Sequence, residues 1–178
     1  MGYTVTFYAV KAHELARRMR ETPDELLAQV EAQFRQESPT EDAALRVLRA
    51  RVARICRGDL PADCDADDYL ALCWLAEVAA ERFQICGFEG FRRLSFLDEL
   101  AIWPELKRHP APFLLPRSAN DYPSVGYLSV EDAKAFVGET FHQLPPSTDR
   151  DVNNLREDFH YAVTTLVADN LDLLAVLL

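Results

Sequence analysis

The residues able to do chemistry in this chain are four histidines, four cysteines, one dense acidic run and one arginine-bearing stretch. His13, His109, His142 and His160 are scattered, and none forms H-E-x-x-H, because His13-Glu14 is followed by Leu15-Ala16-Arg17. His160 lies beside the apolar stripe of the last helix-patterned segment, with Arg156 and Glu157 one turn before it. A Cys–His nucleophile pair would therefore have to assemble across long separations in sequence. Cys56, Cys64, Cys73 and Cys86 contain no C-x-x-C pair, and no histidine stands at zinc-ligand spacing from them. Three of them fall inside apolar helical patterns, so free thiols in a reducing cytosol are expected, with no disulfide and no metal.

The acidic run Asp63-Cys64-Asp65-Ala66-Asp67-Asp68 opens like a calcium loop. The required glycine at loop position 6 is Asp68, however, and the bidentate glutamate at position 12 is Trp74. Carboxylates at a helix start complement its dipole, which accounts for the run without a cation. Arg46, Arg49, Arg51, Arg54 and Arg57 lie opposite the apolar stripe of one helical stretch. They could grip phosphate or carboxylates. No aromatic residues interleave them, so a solvated or internally paired face is expected. The glycines form no G-x-G-x-x-G, Walker A loop or G-x-S-x-G elbow, so no cofactor is expected.

The elements that must position these groups are legible from periodicity. Tyr3 to Val10 is β-branched and aromatic, predicting a strand. Lys11 to Arg20 places Ala12, Leu15, Ala16 and Met19 on one helical stripe. Thr22-Pro23-Asp24-Glu25 and Ser38-Pro39-Thr40-Glu41 read as capping boxes. They predict helices carrying Leu26, Val30 and Phe34 in the first, and Leu45, Leu48, Val52 and Ile55 in a second that runs from Pro39 to Arg57 and ends at Gly58. A helix over Asp67–Phe83 is apolar nearly all round. Cys86 to Phe91 reads as a turn, and Ser95 with Asp98 caps a short helix that Pro104 ends or kinks. Four prolines, Pro110, Pro112, Pro116 and Pro123, predict an extended surface segment from His109 to Pro123. Ser124 to Leu128 reads as a strand, Ser129 with Asp132 as a cap for a helix to Glu139, and His142 to Thr148 as a loop. The last helix starts near Asp149 and stops at Asn170, and Leu171 to Leu178 is a buried terminal strand, with a helical continuation as its rival.

The chain has 178 residues, 49% hydrophobic and 27% charged, values ordinary for one globular domain. No apolar run approaches the roughly 20 residues that span a bilayer, and the N-terminus lacks the basic start of a secretory signal. Charge is uneven. Residues 1–58 hold ten basic and eight acidic side chains, and residues 59–178 hold nine and twenty-one, within a net charge of −10. Such a surface repels nucleic acid and attracts basic partners.

Two stretches carry a family likeness. Met1-Gly2-Tyr3-Thr4-Val5-Thr6-Phe7-Tyr8-Ala9-Val10 with the helix after it resembles small bacterial proteins of the YfbM-like kind. Tyr122-Pro123-Ser124-Val125-Gly126-Tyr127-Leu128 with its capped helix, and the closing helix and Leu-rich strand, resemble other bacterial proteins of similar size. The resemblance implies a small bacterial α+β protein and carries over no catalytic residue.

These readings converge on a helix-rich α+β single domain over residues 1–178, with N- and C-terminal strands sharing a small sheet. The function expected is that of a cytoplasmic, non-enzymatic interaction protein of the immunity type, binding a basic partner or toxin. Asp63, Asp65, Asp67 and Asp68 are the expected partner-binding residues. No nucleic acid, membrane, cofactor or metal is expected. The alternative is a small hydrolase with a non-local Cys/His or carboxylate site.

Overall fold

The N-terminal run of alternating side chains forms the strand β1 (Thr4–Val10), and it pairs along its length with the C-terminal strand β5 (Asp172–Leu177), from Val5 opposite Leu177 to Val10 opposite Asp172. The computed structural model describes residues 4–82, 87–89, 102–119, 122–143 and 147–178. β4 (Ser124–Leu128) pairs antiparallel with the other edge of β5, while β2 (Ala80–Arg82) and β3 (Gly87–Glu89) pair antiparallel with β1. The path across the sheet is β2-β1-β5-β4.

Because successive strand residues point to opposite faces, both sides of this sheet must be covered. Tyr8, Val10, Leu174 and Val176 face a core built with α1 (Ala12–Glu21), α2 (Pro23–Glu37), α3 (Asp42–Arg57) and α4 (Ala66–Ala79). Val5, Phe7, Leu173 and Ala175 face a second core, with α5 (Ile102–Arg108), α6 (Val130–Ala135) and α7 (Arg150–Asp169). The helix-rich α+β domain with shared terminal strands is thus what the sequence predicts. Leu and Ala in β5 form strand, not helix, because both faces and both edges of that segment are occupied.

The predicted stripes are buried: Ala12, Leu15, Ala16 and Met19 in α1, Leu26, Val30 and Phe34 in α2, and Leu45, Leu48, Val52 and Ile55 in α3. Gly58 ends α3 at φ 67° and Asn170 ends α7 at φ 57°, both left-handed stops. Two predicted caps fail. Thr22 precedes α2, but its hydroxyl faces Arg18 O, 3.5 Å back, and makes no capping bond. The residue closes α1 and opens α2 at once, so the backbone has no room for the extended N-cap geometry. Ser38 likewise closes α2, donating its N–H to Phe34 O at 2.8 Å, and α3 starts only at Asp42.

Further differences concern boundaries. α4 stops at Ala79, and Ala80 to Arg82 turn into β2, since pairing with β1 supplies their backbone partners. Gly87 to Glu89 are strand and not turn, paired to Thr4–Thr6. Pro104 lies inside α5, which continues to Arg108; a proline in an early helical turn removes an N–H that has no carbonyl to reach. The Ser95–Asp98 cap and Cys86 lie outside the described residues. Gly126 is required by close approach: a Cβ there would stand 2.5 Å from Leu106 Cβ, so α5 sits directly on β4.

Candidate functional site

The acidic run is first a helix start. Asp65 caps α4, its carboxylate accepting from the N–H groups of Asp67 (3.1 Å) and Asp68 (3.3 Å), and Asp68 reaches back to the N–H of Asp65 (3.3 Å). This reciprocal box satisfies donors the helix cannot pair internally. Arg51 of α3 then bridges both carboxylates, at 2.7 Å to Asp65 and 3.0 Å to Asp68, with Arg54 at 3.8 Å from Asp68. Burial pulls the Arg51 pKa down, but Asp68 and Asp65 outweigh it, so the net shift is upward. Asp63 accepts from Ala119 N–H at 2.7 Å and ties the proline-rich segment to this corner. Of the four carboxylates expected to meet a partner, Asp68 is wholly buried and withdrawn from any surface, because its charge is spent inside on two arginines; Asp63, Asp65 and Asp67 are exposed. Three arginines of the α3 face, Arg49, Arg51 and Arg54, are thus paired, Arg49 with Glu31 at 2.7 Å.

The described thiols, Cys56, Cys64 and Cys73, are poor nucleophiles. Burial pushes Cys56 and Cys73 up to about 11 and raises Cys64, whereas a reactive cysteine needs a lowered value. Cys73 belongs to a polar cluster between α4 and the sheet. Tyr8 is raised by burial and by the neighbouring Cys73 and Glu77. Glu77 is raised to about 7 by burial and by Glu37, and accepts from Gln33 Nε2 at 3.1 Å. Among the described residues no group of three or more His, Cys, Asp and Glu side chains is arranged to hold a metal ion.

The histidines fare differently. His13 is exposed on α1. His109 stands between Glu105 (2.9 Å from Nε2) and Asp132 (3.2 Å from Nδ1), and lines a cavity of about 550 Å³ under the proline-rich segment. His142 and His160, eighteen positions apart, come together with ring centroids 5.1 Å apart. The helix that follows Ser129 makes this possible. After α6 it widens into a π turn over Phe136–Thr140 and tightens into a 3-10 turn over Phe141–Gln143, which throws Phe141 and His142 against α7. Such π turns are frequent at functional sites. His160 stacks on Phe141 at 5.8 Å, and the Arg156 guanidinium lies 5.3 Å from the same ring while donating to Phe141 O at 3.1 Å. With Asn153 and Glu157 these residues line an open cavity of about 470 Å³. Periodicity places Arg156, Glu157 and His160 together; nothing in the sequence marks the π turn that adds His142.

The outer face of α7 is the other surface that sequence reasoning passed over. Its residues off the apolar stripe include Asp151, Asn154, Glu157, Asp158 and Tyr161, all exposed. They fall within about 120° of arc at the helical angle per residue. Tyr161 is 75% exposed, the most open large apolar side chain among the described residues. Arg150 is the base on this face.

Among the described residues no helix is long and apolar enough to cross a membrane. No curated protein and no solved structure matches the chain. Over residues 1–175 it matches the family described as a domain of unknown function (DUF7691), and the chain belongs to that family.

Proposed function

We propose that this protein is an acidic interaction protein that docks onto a basic protein partner, in the manner of immunity proteins that neutralise toxins. The supporting observation is the outer face of α7, where Tyr161 stands open to solvent among Asp151, Glu157 and Asp158. An exposed aromatic ringed by like charges gives a partner both a desolvated anchor and a steering field. Asp63, Asp65 and Asp67, at the start of α4 on the other side of the sheet, add to the acidic charge of the molecule; Asp68 drops out of the set. A bacterial source of the YfbM-like kind and a reducing, cytoplasmic setting are compatible with this reading and with the unbridged thiols Cys56, Cys64 and Cys73. Support for the alternative, a small hydrolase, is confined to the His142–His160 pair, since burial keeps the described thiols protonated.

The test is capture of partners from the source cell with wild type and two surface variants. Tyr161→Ala, and Asp151→Lys with Asp158→Lys, should each lose a basic protein that wild type retains; the first should keep the wild-type unfolding midpoint because Tyr161 is exposed, and the second should lower it slightly because a lysine at 151 opposes the dipole in the first turn of α7. Retention of that protein by both variants would reject the α7 face.

A further inference from the structure

The cavity beside α7 carries a second reading, which shares Glu157 with the acidic face. Three nitrogen-bearing groups converge on it. Phe141, buried, forms its floor, with the His160 ring stacked at 18° to it and the Arg156 guanidinium over it. Arg156 is anchored at the cavity by its bond to Phe141 O and its position over the Phe141 ring. Among the described residues neither His142 nor His160 hydrogen-bonds to the protein, although each offers an N–H in either tautomer. Asn153 is engaged in both directions with Ser147, accepting from its N–H at 3.1 Å and donating to its carbonyl at 2.8 Å, so it shapes the wall. Glu157, exposed at the edge, is an acceptor that disfavours a second anion and suits a hydroxyl donor.

We propose that this cavity binds a small phosphate monoester that also carries hydroxyl groups. Arg156, His142 and His160 take the phosphate, and Glu157 accepts from a hydroxyl.

Glycerol 3-phosphate, inorganic phosphate and glycerol are the probes, titrated at constant ionic strength while the imidazole resonances of the full chain are followed by NMR. Glycerol 3-phosphate should shift His142 and His160 saturably and leave His13 and His109 in place. It should bind more tightly than inorganic phosphate, and glycerol alone should not bind. Arg156→Lys, which keeps the charge but loses the fork, should weaken binding about tenfold. Glu157→Gln should bring the two phosphates to similar affinity. His142→Asn, at an exposed position, should weaken binding even if the Arg156 variant fails to fold, as circular dichroism would report. The proposal is overturned by the absence of saturable shifts, by equal drift of all four histidines, or by unchanged affinity in His142→Asn. Inorganic phosphate binding as tightly as glycerol 3-phosphate would overturn it too, since the site would then take a bare anion only.

Discussion

Asp172 shows how much one side chain does in this molecule. Its buried carboxylate accepts from Ala12 N–H at 2.9 Å and from Val130 N–H at 3.0 Å, so the first residue of β5 holds the starts of α1 and α6 on opposite faces of the sheet. Removing it orphans two buried donors, each of which costs on the order of 1 to 3 kcal/mol. Asp172→Ala should therefore lower the unfolding free energy by about 3 kcal/mol, read from the urea midpoint, with Asp172→Asn intermediate. Glu77 makes a pH-dependent contribution of the opposite kind. Its folded pKa, about 7, lies above the ordinary 4.5, so the folded state binds the proton more tightly than the unfolded one. Stability from this group is complete below about pH 4.5 and is lost as pH rises through 7. Allowing for partial exposure, the loss is on the order of 1 kcal/mol. Glu77→Gln should flatten the unfolding midpoint between pH 4.5 and 7; an unchanged slope would show that another group titrates there.

At the scale of elements, the caps separate local signals from tertiary ones. Asp65→Ala and Ser129→Ala remove bonds that the helix starts depend on, and each should cost on the order of 1 kcal/mol in chemical denaturation. Thr22→Ala and Ser38→Ala should cost only a few tenths, since neither hydroxyl caps a helix. All four positions looked like caps in the sequence. What divides them is whether a preceding helix already owns the residue, as α1 owns Thr22 and α2 owns Ser38. The same limit runs through the rest of the fold. Helix stripes, the terminal strands and the stops at Gly58 and Asn170 were legible because period and backbone preference are local. β2 and β3 were not, because Ala80–Arg82 and Gly87–Glu89 are strand only by virtue of pairing with β1. The π turn that carries His142 to His160 has no period of its own, so half of that cavity was invisible. Asp68 looked exposed because its neighbours are acidic; its burial follows from Arg51 and Arg54, which arrive from a separate helix.

At the scale of the whole molecule, charge is the property that reaches beyond the surface. Much of the positive charge of α2 and α3 is spent internally, on Glu31, Asp42, Asp65 and Asp68. The net charge of −10 is left to act on what approaches. Salt screens such a field over about 8 Å at physiological strength, and the screening falls mainly on the encounter. The most direct test of the docking reading is the association rate with the captured partner, measured by stopped flow across a salt series. The rate should fall by roughly tenfold or more from low to high salt while dissociation changes little. Asp151→Lys with Asp158→Lys should reproduce the fall at low salt. An acidic partner, or an association rate indifferent to salt, would contradict the account.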